Sequence, residues 1–116
     1  MTNANLKIVD FPPREGRACD VDTLAQQIGA PTIMAACGGR LTPHYNKQRE
    51  RIGLNLMCGR SRWVVVIYEY SDLYSVYRFR RIDRGDNRGK FALEYEAHEV
   101  DATAIGSTVY EASIWR

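Results

Sequence analysis

The chain has 116 residues, of which 45% are hydrophobic and 26% charged, with a formal net charge of +2. That size and balance fit one globular domain with a single core and exclude disordered, collagen-like and disulfide-dense classes. The longest apolar run, Trp63 to Tyr68, stops at Glu69, far short of the roughly 20 residues a membrane-spanning helix needs.

Residues 1–18 contain Pro12, Pro13 and Gly16 without a sustained period and read as an irregular N-terminal arm, the single domain occupying 19–116. Met1 to Asp10 has one Lys and no continuous apolar segment, so no secretory signal is expected and a cytoplasmic location follows. Asp20 offers an N-cap, and Val21, Leu24 and Ile28 form one apolar stripe at helical spacing. Gly29 and Pro31 read as the stop of that short helix. Thr32 to Ala36 is short, apolar and partly β-branched, and runs into Cys37, Gly38, Gly39 and Arg40, the pattern of a strand ending in a tight turn. Pro43 and Asn46 mark Leu41 to Gln48 as a turn or irregular edge segment.

Ile52, Leu54, Leu56 and Cys58 then alternate with Gly53, Asn55 and Met57, as a half-buried strand requires. Arg62 to Tyr70 is apolar on both faces and should be a central strand. Leu73 to Ile82 alternates again and becomes basic toward its end, and Asp83 to Gly89 has hairpin-loop composition. Phe91, Leu93, Tyr95 and Ala97 continue the meander. Asp101 is placed to cap a final helix with Ala102, Ile105, Val109 and Ala112 on one face and Trp115 at its end. Gly106 inside that helix costs about 1 kcal/mol relative to Ala. The expected fold is α+β, an antiparallel meander of four to five strands packed with a short N-terminal and a C-terminal helix.

Charge is unevenly spread. Arg40 to Arg62 has six basic residues and one acidic, Arg78 to Lys90 six basic and two acidic, and Phe91 to Arg116 one basic and five acidic. If the two basic segments meet at one end of the sheet, Arg49, Arg51, Arg78, Arg80, Arg84, Arg88 and Lys90 form a surface for phosphates or an acidic protein, with Tyr74 or Tyr77 stacking bases. The competing reading is a solvated sheet whose arginines blunt edges and pair with the acidic C-terminal segment.

Catalytic chemistry finds little support. Cys19, Cys37 and Cys58 lack a C-x-x-C pair and read as reduced, packed thiols. His44 and His98 have no partner at metal-ligand spacing, and Glu94, Glu96 and His98, two apart on one strand, are an unspecific pattern. No nucleophile elbow, Walker motif or dinucleotide fingerprint occurs. The Cys37–Gly38–Gly39–Arg40 turn can place backbone amides and a guanidinium toward an anion, the alternative being a plain tight turn. No catalytic residue, cofactor or metal is expected.

Taken together, the apolar segment ending in Gly38, Gly39 and Arg40, the strand Arg62 to Ile67, the run Leu73-Tyr74-Ser75-Val76-Tyr77-Arg78 and the closing Val109-Tyr110-Glu111-Ala112-Ser113 resemble a family of small bacteriophage proteins of unassigned function. The resemblance spans about residues 32–116. It implies a phage or prophage origin and expression inside a bacterial cell, and it transfers no catalytic residue. The N-terminal extension and the His44-containing insertion depart from the pattern. The leading expectation is a non-enzymatic protein that binds and modulates a host or phage protein; the alternative is a nucleic-acid-binding module. Exposed strand edges leave a homodimer open.

Overall fold

A computed structural model describes residues 6–114. Nine elements follow in order: β1 (Lys7–Val9), α1 (Val21–Ile28), α2 (Ala30–Cys37), β2 (Leu41–Tyr45), β3 (Arg51–Met57), β4 (Arg62–Tyr68), β5 (Tyr74–Arg81), β6 (Phe91–Val100) and α3 (Ile105–Ser113). The strands form one antiparallel sheet in the order β1-β6-β5-β4-β3-β2. The class is α+β as expected, with six strands rather than four to five and three helices rather than two among the described residues.

The helices cover one face of the sheet. Asp20 caps α1, its carboxylate accepting from the amides of Asp22 and Thr23, and Val21, Leu24 and Ile28 are buried as their spacing predicts. They meet Leu54, Leu56, Val64, Val66 and Val76 from the sheet and Ile105, Val109 and Ala112 from α3 in one core. Each fully buried aliphatic side chain there contributes about 1.5–3 kcal/mol.

Thr32 to Ala36 is not a strand but the body of α2. Pro31 stands in its first turn, where no intrahelical amide is lost, and Gly38, at φ 63°, closes it in the left-handed conformation. Gly29 ends α1 as its C-cap, as expected, and a second helix follows directly. Within Leu41 to Gln48, expected to be a turn or irregular edge, Leu41–Tyr45 is the outermost strand β2, whose edge position tolerates Pro43. Asp101 caps a turn ahead of α3, accepting from Thr103 and Ala104, so the helix begins at Ile105 and Ala102 lies outside it. Gly106 has a packing reason: a Cβ there would stand 2.8 Å from the carbonyl oxygen of Ile28. The expected role of Trp115 lies outside the described residues.

The second face holds a smaller cluster of Ile52, Val65, Ile67 and Phe79, with Val9, Trp63, Tyr77, Phe91 and Leu93 against it. β4 is thus covered on both faces, as its composition predicts. Ile52 joins this cluster, unlike Leu54 and Leu56, because the β2–β3 register shifts between His44 and Tyr45.

Within the described part of the N-terminal lead-in, Lys7–Val9 form a short strand and residues 12–18 carry no regular element. β1 pairs with β6, and the following residues run over the second face to the opposite side of the sheet. His44 Nε2 donates to the Pro13 carbonyl at 2.6 Å, the amide of Arg17 donates to Tyr68 and that of Cys19 to Arg51. Gly16 is buried, and a Cβ there would lie 2.7 Å from Ile67 Cγ2 and 2.9 Å from the Tyr68 carbonyl oxygen. The lead-in therefore acts as a strap.

Candidate functional site

Strand register sorts the basic residues. β3 begins where β4 ends, and β5 ends where β6 begins, so Arg49 and Arg51 lie at one end of the sheet and the β5–β6 loop with Arg84, Arg88 and Lys90 at the other. The two basic segments do not form one surface. The far end of the first basic segment does reach the loop end, because the β3–β4 turn carries Arg60 there and the amide of Arg81 donates to the carbonyl of Ser61.

At the loop end, Ile8, Ala92, Arg80 and Arg62 are cross-strand partners in a single row over β1, β6, β5 and β4. Ile8, Ala92 and Arg80 line a recess of about 560 Å³, walled by Ile82, Asp83, Arg84, Gly85, Asp86 and Asn87 of the loop. Gly85 and Gly89, at φ 83° and 87°, turn that loop back over the row. Arg84, Arg88 and Lys90 are exposed, with Lys90 Nζ 3.7 Å from Asp10.

Beside the recess sits an ion cluster. Glu94 lies two residues after Ala92 and on the same, helical face, at the point where the β5–β6 register shifts between Arg78 and Phe79. Its carboxylate accepts from Arg62 Nε at 2.9 Å, Arg78 Nε at 3.1 Å and Arg80 Nε at 3.1 Å. Burial works against its charge, but the hydrogen bonds and charges of Arg62 and Arg78 outweigh this and hold the carboxyl below its usual range. Arg78 also donates to the carbonyls of Ala112 and Ile114, closing the C-terminus of α3 with a positive charge. Three guanidiniums surround one carboxylate next to the recess.

These contacts change the roles expected for several residues. Arg78 is structural, and Arg80 is shared between Glu94 and the recess wall. Tyr74 is buried, and its hydroxyl donates to Gln27 Oε1 at 2.8 Å, so it offers no ring for stacking. Tyr77 packs against Phe79 and His98 on the second face. Arg62 and Glu94 belong to the cluster although their sequence positions did not single them out for it; an acid amid basic cross-strand neighbours is the signal, and it is legible only once register is known.

The other candidates disperse. Glu94 faces the arginines, whereas His98 bonds Ser75 Oγ and Glu96, each at 3.0 Å, and among the described residues no three His, Cys, Asp or Glu are grouped to hold a metal ion. Cys37 is buried, its thiol donating to the Ile33 carbonyl, and burial pushes the Cys58 thiol up to about 11. Arg40 turns back onto the Cys37 carbonyl rather than outward to an anion. His44 is buried, and burial, opposed by its bond to Pro13 and aided by the charge of Arg14, lowers its pKa.

No family model, curated protein or solved structure matches this chain.

Proposed function

We propose that this chain is a small non-enzymatic binding protein of phage or prophage origin, working in the bacterial cytoplasm, that engages an acidic segment of a host or phage protein through the loop end of its sheet. The recess beside the Glu94 cluster is the observation that carries this reading. Its apolar floor of Ile8 and Ala92 suits a side chain, and Arg80 and Arg84 suit a carboxylate.

A protein partner fits better than nucleic acid. A nucleic-acid strand needs a continuous basic track and rings on which bases stack. Here Asp83 and Asp86 interrupt the loop cations, Arg78 is committed to Glu94 and α3, Tyr74 is buried, and Arg49 and Arg51 lie at the far end. Mixed charge around an apolar floor resembles the polar rim and apolar centre of protein interfaces. The origin rests on the family resemblance over residues 32–116.

The test is capture from bacterial lysate by the full chain, beside an Arg84→Glu plus Arg88→Glu variant checked for folding by circular dichroism. A partner retained at stoichiometric yield by the wild type and lost by the variant is expected. Equal retention by both, or salt-sensitive DNA or RNA binding as the only activity, would overturn the reading.

A further inference from the structure

A second recess, of about 520 Å³, lies at the opposite end of the sheet and is lined by Arg14, Tyr45, Asn46, Lys47 and Arg49. Three of these five residues are cations and none is acidic. Glu50, their neighbour in sequence, is engaged as the acceptor for Asn46 Nδ2 at 2.9 Å.

Two distant segments build this recess. The strap brings Arg14, fastened one residue earlier by the bond from His44 to the Pro13 carbonyl, and Arg14 lies over the Phe11 ring at 5.6 Å, a contact that orients the guanidinium without neutralising it. The β2–β3 hairpin brings the rest. Buried Asn46 shapes its turn, accepting at Oδ1 from the amides of Gln48 at 2.9 Å and Glu50 at 2.8 Å. Arg49 completes the turn at φ 64°, a left-handed conformation that glycine adopts with less strain. An arginine there bears a backbone cost and adds a long cation to the recess. Tyr45 is 43% exposed and supplies an aromatic wall.

We infer that this recess binds a phosphate monoester carried on a planar ring, the chemistry of a nucleoside monophosphate, with Arg14, Lys47 and Arg49 on the phosphate oxygens and Tyr45 against the ring. The three cations reach the recess from the strap and from two places in the hairpin, so they can meet different oxygens of one dianion. A single ring beside one cation cluster matches one nucleotide rather than a strand. The volume lies within the range of small-ligand sites. The site is separate from the loop-end surface and does not depend on it.

The experiment is a titration of the full chain, followed by amide NMR and calorimetry, with adenosine monophosphate, inorganic phosphate, adenosine and a single-stranded oligonucleotide as separate probes. Adenosine monophosphate should shift the 45–49 amides and bind more tightly than phosphate, with adenosine weakest. Arg49→Gly should weaken it roughly tenfold, the loss of one charge-assisted contact, while leaving the fold intact. Tyr45→Ala should weaken the nucleotide but not inorganic phosphate, and Arg84→Glu plus Arg88→Glu should change neither. No shift at 45–49 from a folded protein, unchanged affinity in Arg49→Gly, or binding of the oligonucleotide alone would overturn the inference.

Discussion

Replacing Glu94 with Gln tests the electrostatic logic of the loop end. The carboxylate is 11% exposed and accepts from three arginines whose side chains are 27%, 12% and 21% exposed, in the order Arg62, Arg78, Arg80. Gln keeps the shape but removes the charge, and it turns an N–H group toward donors that have nothing to accept it. Arg80 can swing toward water, whereas Arg78, the least exposed, is held by the C-terminus of α3. Charge-assisted bonds contribute about 1.5–3 kcal/mol each, so with Arg78 held in place the net loss should be about 2–3 kcal/mol. For a domain of this size that lowers Tm by roughly 10 °C. Urea unfolding of both proteins from pH 8 down to pH 3 is the assay. Because the folded carboxyl titrates below its ordinary value of 4.5, its contribution is present in full above that pH and is lost as pH falls through the depressed native value. The gap between wild type and Glu94→Gln should therefore be constant near neutrality and close in acid. A gap below about 0.5 kcal/mol at pH 7, or one that persists unchanged at pH 3, would refute the reasoning.

Gly53→Ala should prevent stable folding, since a Cβ would lie 1.7 Å from the Val66 carbonyl oxygen inside the central ladder, a clash costing more than about 3 kcal/mol; native-like thermal unfolding of that variant would contradict the β3–β4 packing. Cys58, half-buried with its thiol raised to about 11, should alkylate with iodoacetamide at neutral pH at a small fraction of the rate of an unhindered cysteine, and become fully reactive in urea; rapid labelling of the folded chain, read by peptide mass spectrometry, would count against its burial.

What was legible in the sequence depended on how local its cause was. The Asp20 cap and the Val21, Leu24, Ile28 stripe act within one helix, and the double-sided apolar run of β4 reports its own burial. Thr32 to Ala36 misled because a mostly apolar run of five residues cannot distinguish a strand from a buried helix, and the deciding features, Pro31 in the first turn and Gly38 at the end, flank the run. β1 has three residues and no period; its pairing with Phe91, Ala92 and Leu93 comes from more than eighty residues away. At the candidate sites, composition exposed the charge imbalance, but register decides which arginines share an end and which acid they meet.

The strap implies an order of assembly. Its anchors belong to different strands: Phe91, Ala92 and Leu93 hold β1, while His44, Arg51 and Tyr68 hold the residues after it. The β6 anchors come near the other set only once β3 through β6 have paired, so the hairpins, with their short loop closures, form ahead of the complete strap. The chain should finish folding with its beginning. Amides of the strap should then exchange with solvent through a smaller opening than those of β4, peeling away as a unit while the helix-covered side stays closed. A molecule of this kind carries a latch across its second face, and whatever grips the strap would govern how often that latch lifts.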